Sequence, residues 1–140
     1  MTMRAIQFKA KVIEPKNGVP LATSAPVGTW VFGDLHFFHR VPHIHHNGGG
    51  RSAIDIETIC QYTGLHDKKA RDIYEGDIVQ WDKDQKLYVV EFRNGMFYAS
   101  VEPCNPRVYG GFPLWFLCEE DQHCSIVGNR FDNKELLKEG

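Results

Sequence analysis

Asn94-Gly95, set between the apolar runs 87–93 and 96–101, constrains this chain more than any other pair of residues. A two-residue hairpin loop of type I′ needs positive φ at both central positions, and Asn-Gly adopts that conformation most readily. Once the chain folds back there the pairing is fixed: Phe92 faces Phe97, Val90 faces Ala99, and Tyr88 faces Val101. These six residues share one face of the ribbon, which is predicted to be buried. The other face carries Glu91, Arg93, Tyr98 and Ser100, with Leu87, Val89 and Met96 as apolar exceptions, and is predicted to be wetter. A slip of one residue would bury Glu91 and Arg93, so the register is well specified.

The rest of the chain reads around this hairpin. Residues 77–81 form a strand, Asp82-Lys83-Asp84-Gln85 a turn, and 86–93 the first arm of the ribbon. Upstream, residues 5–13 and 29–38 read as strands, separated by the turn Pro15-Lys16-Asn17-Gly18 and an irregular connector. Residues 39–52, ending in Asn47-Gly48-Gly49-Gly50, read as a mobile loop. A turn over 55–58 leads into a strand at 59–62, and 63–72 reads as a polar surface connection. Downstream come a Pro/Gly-rich loop at 102–112, an apolar strand at 114–118, a charged turn at 119–122 and a last strand at 124–127. Residues 133–138 read as a short helix, with Asp132 and Glu135 spaced as a capping box. The fold class is therefore all-β: an antiparallel meander closed as a barrel or stacked as a sandwich, with a short C-terminal helix. Residues 1–140 are expected to form one domain.

Charge and composition remove several function classes. Sixteen basic against eighteen acidic residues leave a net charge of -2, which argues against general affinity for nucleic acid or anionic membrane. The first residues lack an apolar signal core and no stretch approaches the length of a membrane span, so a cytoplasmic location is expected. Cys60, Cys104, Cys118 and Cys124 include no Cys-x-x-Cys pair and read as free thiols of a reducing compartment. A zinc site from Cys118, His123 and Cys124 would need a fourth ligand that the spacing does not supply.

Three groups of residues carry the candidate chemistry. His36, His39, His43, His45 and His46 crowd a short segment. If it were extended, His43 and His45 would point to one face and, with His39, could chelate zinc or nickel. The blander reading is a His-rich surface loop without a cofactor, and it is preferred because a flexible loop fixes ligands poorly. Lys68, Lys69 and Arg71 form the tight basic group, a candidate contact for nucleic acid or a partner. Exposed aromatics such as Trp30, Trp81, Tyr98, Trp115 and Phe116 could stack bases, although core packing is the commoner role. In Tyr74-Glu75-Gly76-Asp77, Glu75 and Asp77 could be read as paired acids. The preferred reading is a tight turn in which Gly76 supplies an awkward φ and Asp77 accepts a nearby backbone N–H. No phosphate loop or nucleophile–base arrangement appears, so no catalytic residue is assigned.

Three motifs, in order, resemble a known family: Gly28-Thr29-Trp30-Val31-Phe32-Gly33-Asp34-Leu35; Cys60-Gln61-Tyr62-Thr63-Gly64-Leu65-His66-Asp67 followed by Ile73-Tyr74-Glu75-Gly76-Asp77-Ile78-Val79; and Ile126-Val127-Gly128-Asn129 with residues 131–137. Together they resemble the YopX family of bacteriophage and prophage proteins over residues 28–137. The resemblance implies a mostly β fold, a phage or prophage origin in a bacterial host, and no catalytic residue to carry over. It departs at Lys69-Ala70, where the family commonly has Asn-Gly, which argues against a positive-φ turn there. It departs again at Lys134, where the family tends to place proline. The expected function is a non-catalytic β-barrel interaction module with a protein partner from phage or host, or a second copy of itself. Nucleic-acid binding is the first alternative and metal binding at the histidines the second.

Overall fold

A computed structural model describes residues 5–14, 25–101 and 110–137. The expected turn at 15–18 and most of the loop at 102–112 lie outside the described residues, as does Cys104. The described chain is dominated by antiparallel strands, in keeping with the all-β expectation. It resolves into two compact units, residues 1–62 and 63–140.

In the first unit, β1 (Phe8–Lys11), β2 (Trp30–Phe38), β3 (Val41–His46) and β4 (Arg51–Ala53) run as a meander, and β5 (Cys60–His66) returns to pair with β1. Ala10, Val12, Val31, Ile44 and Ile54 form its core. The segment predicted as a mobile loop, 39–52, is thus the turn after β2, the strand β3 and the start of β4. Phe38 pairs with Val41 around a two-residue turn in which His39 and Arg40 have φ of 50° and 65°. That geometry suits Asn-Gly, and His-Arg gives no sequence signal for it. Strand pairing with β2 overrides the weak local propensity of a His- and Pro-containing segment.

In the second unit, β6 (Asp72–Tyr74) lies beside the far half of β5, with Thr63 Oγ1 donating to Ile73 O at 2.8 Å. A second meander follows: β7 (Asp77–Trp81), β8 (Leu87–Arg93), β9 (Met96–Ser100) and β10 (Gly111–Pro113). A four-residue helix, α1 (Leu114–Leu117), then leads to β11 (Cys124–Asn129), which returns to pair with β7. Both units therefore share a pattern, four strands in sequence and a fifth laid outside the first. Among the described residues neither sheet closes into a barrel, which corrects that part of the expectation. The edge strands β10 and β11 of the second sheet are not paired with each other.

The Asn94-Gly95 turn forms as read, with φ of 49° and 81°. Phe92 pairs with Phe97 and Val90 with Ala99, but the ladder ends at Val89–Ser100 and never reaches a Tyr88–Val101 pair. Tyr88, Val90 and Ala99 join the core with Val79, Trp81, Leu114 and Leu117. Phe92 and Val101, at the two ends of the same row, are 56% and 48% exposed. The face expected to be wet is covered in its middle instead, where Val89 and Ser100 are buried. Glu91 and Arg93 are accommodated there by an ion pair at 3.3 Å, with the Ser100 hydroxyl donating to Glu91 at 3.0 Å.

The predicted strand at 114–118 is a helical turn. Leu114 and Leu117 are both fully buried while Trp115 is exposed, a three-residue spacing that only a helix satisfies. So short an apolar run carries no decisive period, and Pro113 just before it removes a ladder donor. The C-terminal helix is a single 3₁₀ turn, Lys134–Leu137. Its entry is organised by Asn133, whose Oδ1 accepts the N–H of Asn129 at 3.1 Å.

Candidate functional site

The second family-like motif builds the most organised polar site of the second unit. Asp67 follows β5 at the start of the turn into β6, and none of its side chain is exposed. An isolated buried carboxylate would be costly, so its hydrogen bonds decide whether the site is stable. Oδ1 accepts the backbone N–H groups of Lys69 at 3.0 Å and Arg71 at 2.9 Å. Oδ2 accepts Arg71 Nε at 2.9 Å and the backbone N–H of Ile126, in β11, at 3.0 Å. The Arg71 guanidinium closes an ion pair with the same oxygen at 2.7 Å and donates to Ile126 O at 2.9 Å. Burial pushes the Asp67 carboxyl up, but the N–H donors of Ile126 and Arg71, with that of Lys69, outweigh it and hold the group below its usual value.

This arrangement covers the outer edge of β11. Cys124 O accepts Lys68 N at 2.8 Å, while both backbone groups of Ile126 are taken by Asp67 and Arg71. An exposed strand edge is a template for unwanted pairing, and here a turn occupies it. The turn needs a left-handed residue, and Ala70 supplies it with φ of 63°. The departure from Asn-Gly at Lys69-Ala70 has therefore not removed the positive-φ conformation, contrary to expectation.

Lys68 and Arg71 thus have structural partners. Lys68 Nζ reaches Asp82 at 3.0 Å and Arg71 is held by Asp67, while Lys69 stands exposed. Two of the three charges read as a contact patch are neutralised within the unit. Beside the turn lies an open cleft of about 480 Å³, lined by Gly64, Leu65, His66, Asp67, Lys68, Ala70 and Cys118.

The neighbouring motif behaves as the turn reading expected. Asp77 is buried and its Oδ2 accepts Tyr74 N–H at 2.8 Å, with Gly76 at φ 86°. Gly76 N–H donates to Val90 O at 2.7 Å, and Gly76 O accepts Arg130 N–H at 2.9 Å.

The structure brings His36 and His45 together but does not gather His39, His43 and His45 into one metal group. His43 is fully buried with Nδ1 against Val41 O at 2.9 Å, and His45 is exposed, edge-on to His36 at 4.6 Å. His39 sits in the β2–β3 turn against Phe38 at 4.4 Å. Among the described residues no group of three or more His, Cys, Asp or Glu side chains could hold a metal ion. Cys118 packs against the core cluster that contains Cys124, but the two form with His123 no group that could hold a metal ion.

A family model described as YopX protein matches residues 35–138. This chain belongs to the YopX family. The matched region of this YopX protein contains the Asp67 turn, the Gly76 turn and the Asn94-Gly95 hairpin. No curated protein matches the chain. Among the described residues, no helix is long and apolar enough to cross a membrane.

Proposed function

We propose that this YopX protein is a phage or prophage accessory protein that binds another protein without catalysing a reaction, in the cytoplasm of its bacterial host. Family membership supports the phage-type setting. The observation that carries the binding role is the exposed apolar residues of the β8–β9 ribbon. Phe92 is 56% exposed although it continues the row of Val90 and Tyr88, and its ring meets Phe97 edge-on at 5.2 Å. Met96, next to the turn, is 41% exposed. A rigid strand presenting an aromatic ring offers contact area at small entropic cost, as the anchors of protein interfaces do. The partner is a phage or host protein with an apolar recess, or a second copy of this chain. Nucleic acid is the weaker reading, since Lys68 and Arg71 are engaged by Asp82 and Asp67.

The test compares the wild-type chain with Phe92→Ser, both immobilised and exposed to lysate of phage-induced bacterial cells, with mass spectrometry of what is retained and sedimentation of each chain alone. The expected result is a retained protein, or a self-associated species, that Phe92→Ser loses while keeping its fold. A monomeric wild type that retains the same proteins as the variant overturns the reading.

A further inference from the structure

β8 runs past the end of the strand beside it. Among the described residues, β7 pairs with β8 at Leu87, Tyr88 and Val89, and Gly76 N–H reaches Val90 O at 2.7 Å. From Glu91 to Arg93 the strand neighbour of β8 is β9. The phase of the Asn94-Gly95 hairpin says which backbone groups face the uncovered edge. Arg93 and Met96 flank the two-residue loop and exchange hydrogen bonds, so bonded and non-bonded pairs alternate from there. Arg93, Glu91 and Val89 direct their N–H and C=O toward β9, whereas Phe92, Val90 and Tyr88 direct theirs away from it. The bond from Gly76 confirms this phase, because it takes Val90 O from the outer side. Phe92 is next in that row, and among the described residues no backbone group meets its N–H or C=O. A strand edge with a free donor and a free acceptor is a site for strand addition.

Resting on the binding role given above to this ribbon, we propose that its partner is a second copy of this chain, joined antiparallel along β8 with the two Phe92 residues opposite each other. Charge selects this occupant. A ladder centred on position 92 sets Glu91 of each copy opposite Arg93 of the other, and the two-fold axis repeats the match. Centring the ladder one residue earlier sets Glu91 against Glu91, and one residue later Arg93 against Arg93. Like charges directly opposite disfavour both slips. The run Glu91-Phe92-Arg93 is therefore self-complementary in one register.

Each Phe92 N–H donates to the C=O of the opposite Phe92, which fixes the register. On one face the ion pair of Glu91 and Arg93 within each copy, at 3.3 Å, joins its counterpart in an array of alternating sign. On the other face the Phe92 and Phe97 rings of the two copies meet, with exposed Met96 beside them. A contact of these few residues is far smaller than the roughly 20 residues a side of a standard interface, so the dimer is weak and depends on concentration.

The test sediments the full-length chain over a range of concentrations and follows amide hydrogen exchange by NMR at both ends of that range. The wild type is expected to pass from monomer to dimer, with slower exchange of the Phe92 amide in the dimer. Glu91→Arg and Arg93→Glu each set like charges opposite one another and are expected to weaken the dimer by about tenfold or more. Mixed in equal amounts, the two variants are expected to associate with each other, since each supplies the charge that the other lacks. The ion pair within each copy stays broken in that mixture, so rescue reports the contact between copies. A wild type that is monomeric throughout overturns the self-pairing. If that monomer still retains a lysate protein that Phe92→Ser loses, the binding role stands without it. A dimer whose Phe92 amide exchanges as fast as the monomer's also overturns the pairing, whether or not the variants fold. So does a mixture that stays as dissociated as its two components.

Discussion

Asp67 Oδ2 accepts the backbone N–H of Ile126 at 3.0 Å, joining the β5–β6 turn to the edge of β11 across 59 positions of sequence. The same carboxylate holds two N–H groups of its own turn and the Arg71 side chain, so its removal strands several donors at once. Asp67→Asn turns an amide NH₂ toward donors and is expected to cost about 2–3 kcal/mol. Arg71 is nearly half exposed, so solvent already screens its pair, and Arg71→Ala is expected to cost about 1 kcal/mol or less. Urea unfolding of the two variants checks the order. Equal losses would mean that the backbone donors contribute little.

The depressed Asp67 carboxyl makes a statement about acid stability. In the interval between its folded and unfolded values the unfolded chain binds the additional proton, so stability rises with pH. The contribution is complete above the ordinary aspartate value of about 3.9 and is lost as the pH falls below it through the lower folded value. Asp67→Asn is therefore expected to flatten the acid limb of a stability–pH curve below about pH 4 while leaving the slope near neutrality unchanged. An acid limb identical to wild type would show that the carboxylate does not report this linkage.

Ala70 pays a conformational penalty that glycine would not. Its φ of 63° lies in the left-handed region, which costs a residue with a Cβ about 1–2 kcal/mol. Glycine also raises the entropy of the unfolded chain, so Ala70→Gly is expected to stabilise by a net of about 0.5–1 kcal/mol. Thermal unfolding should show a higher midpoint. A lower one would mean that the alanine methyl contributes packing along the cleft.

Two glycines of the second sheet should respond differently to alanine. A Cβ on Gly95 meets nothing within 4 Å, so only its φ of 81° is penalised, by about 1–2 kcal/mol. A Cβ on Gly111 would sit 2.0 Å from the carbonyl oxygen of Ala99, in the strand that β10 pairs with. Gly111→Ala must push β10 off β9 and is expected to be the more damaging, with faster hydrogen exchange along β9. Equal costs would count against the pairing of these strands.

The basic group makes a prediction in solution. Because Lys68 and Arg71 are paired, the chain is expected to leave immobilised single-stranded DNA at low salt, and Lys69→Ala to change nothing. Retention that resists salt and weakens in Lys69→Ala would bring the nucleic-acid reading forward.

What the sequence showed most clearly were its local dihedral demands. Asn94-Gly95 announces its turn, Gly76 and Asp77 announce theirs, residues 77–81 form a strand as read, and the strand read over 86–93 forms over Leu87–Arg93. Where a turn uses unusual residues, the signal fails: His39-Arg40 takes positive φ, and an expected loop becomes paired strands. The repeated strand order of the two units is likewise invisible, because topology leaves no periodic trace when the side chains differ.

The sequence by itself determined the turns at Asn94-Gly95 and Gly76-Asp77, since the dihedral demands of glycine, asparagine and aspartate are properties of neighbouring residues. Only the tertiary structure decided which side of each strand is covered and which charges are spent. Phe92 is exposed while Glu91 and Arg93 are largely covered, and Asp67 is buried against Ile126 rather than hydrated beside its lysines. Burial and long-range hydrogen bonds depend on which strand arrives next to a residue, and that strand is encoded far away along the chain.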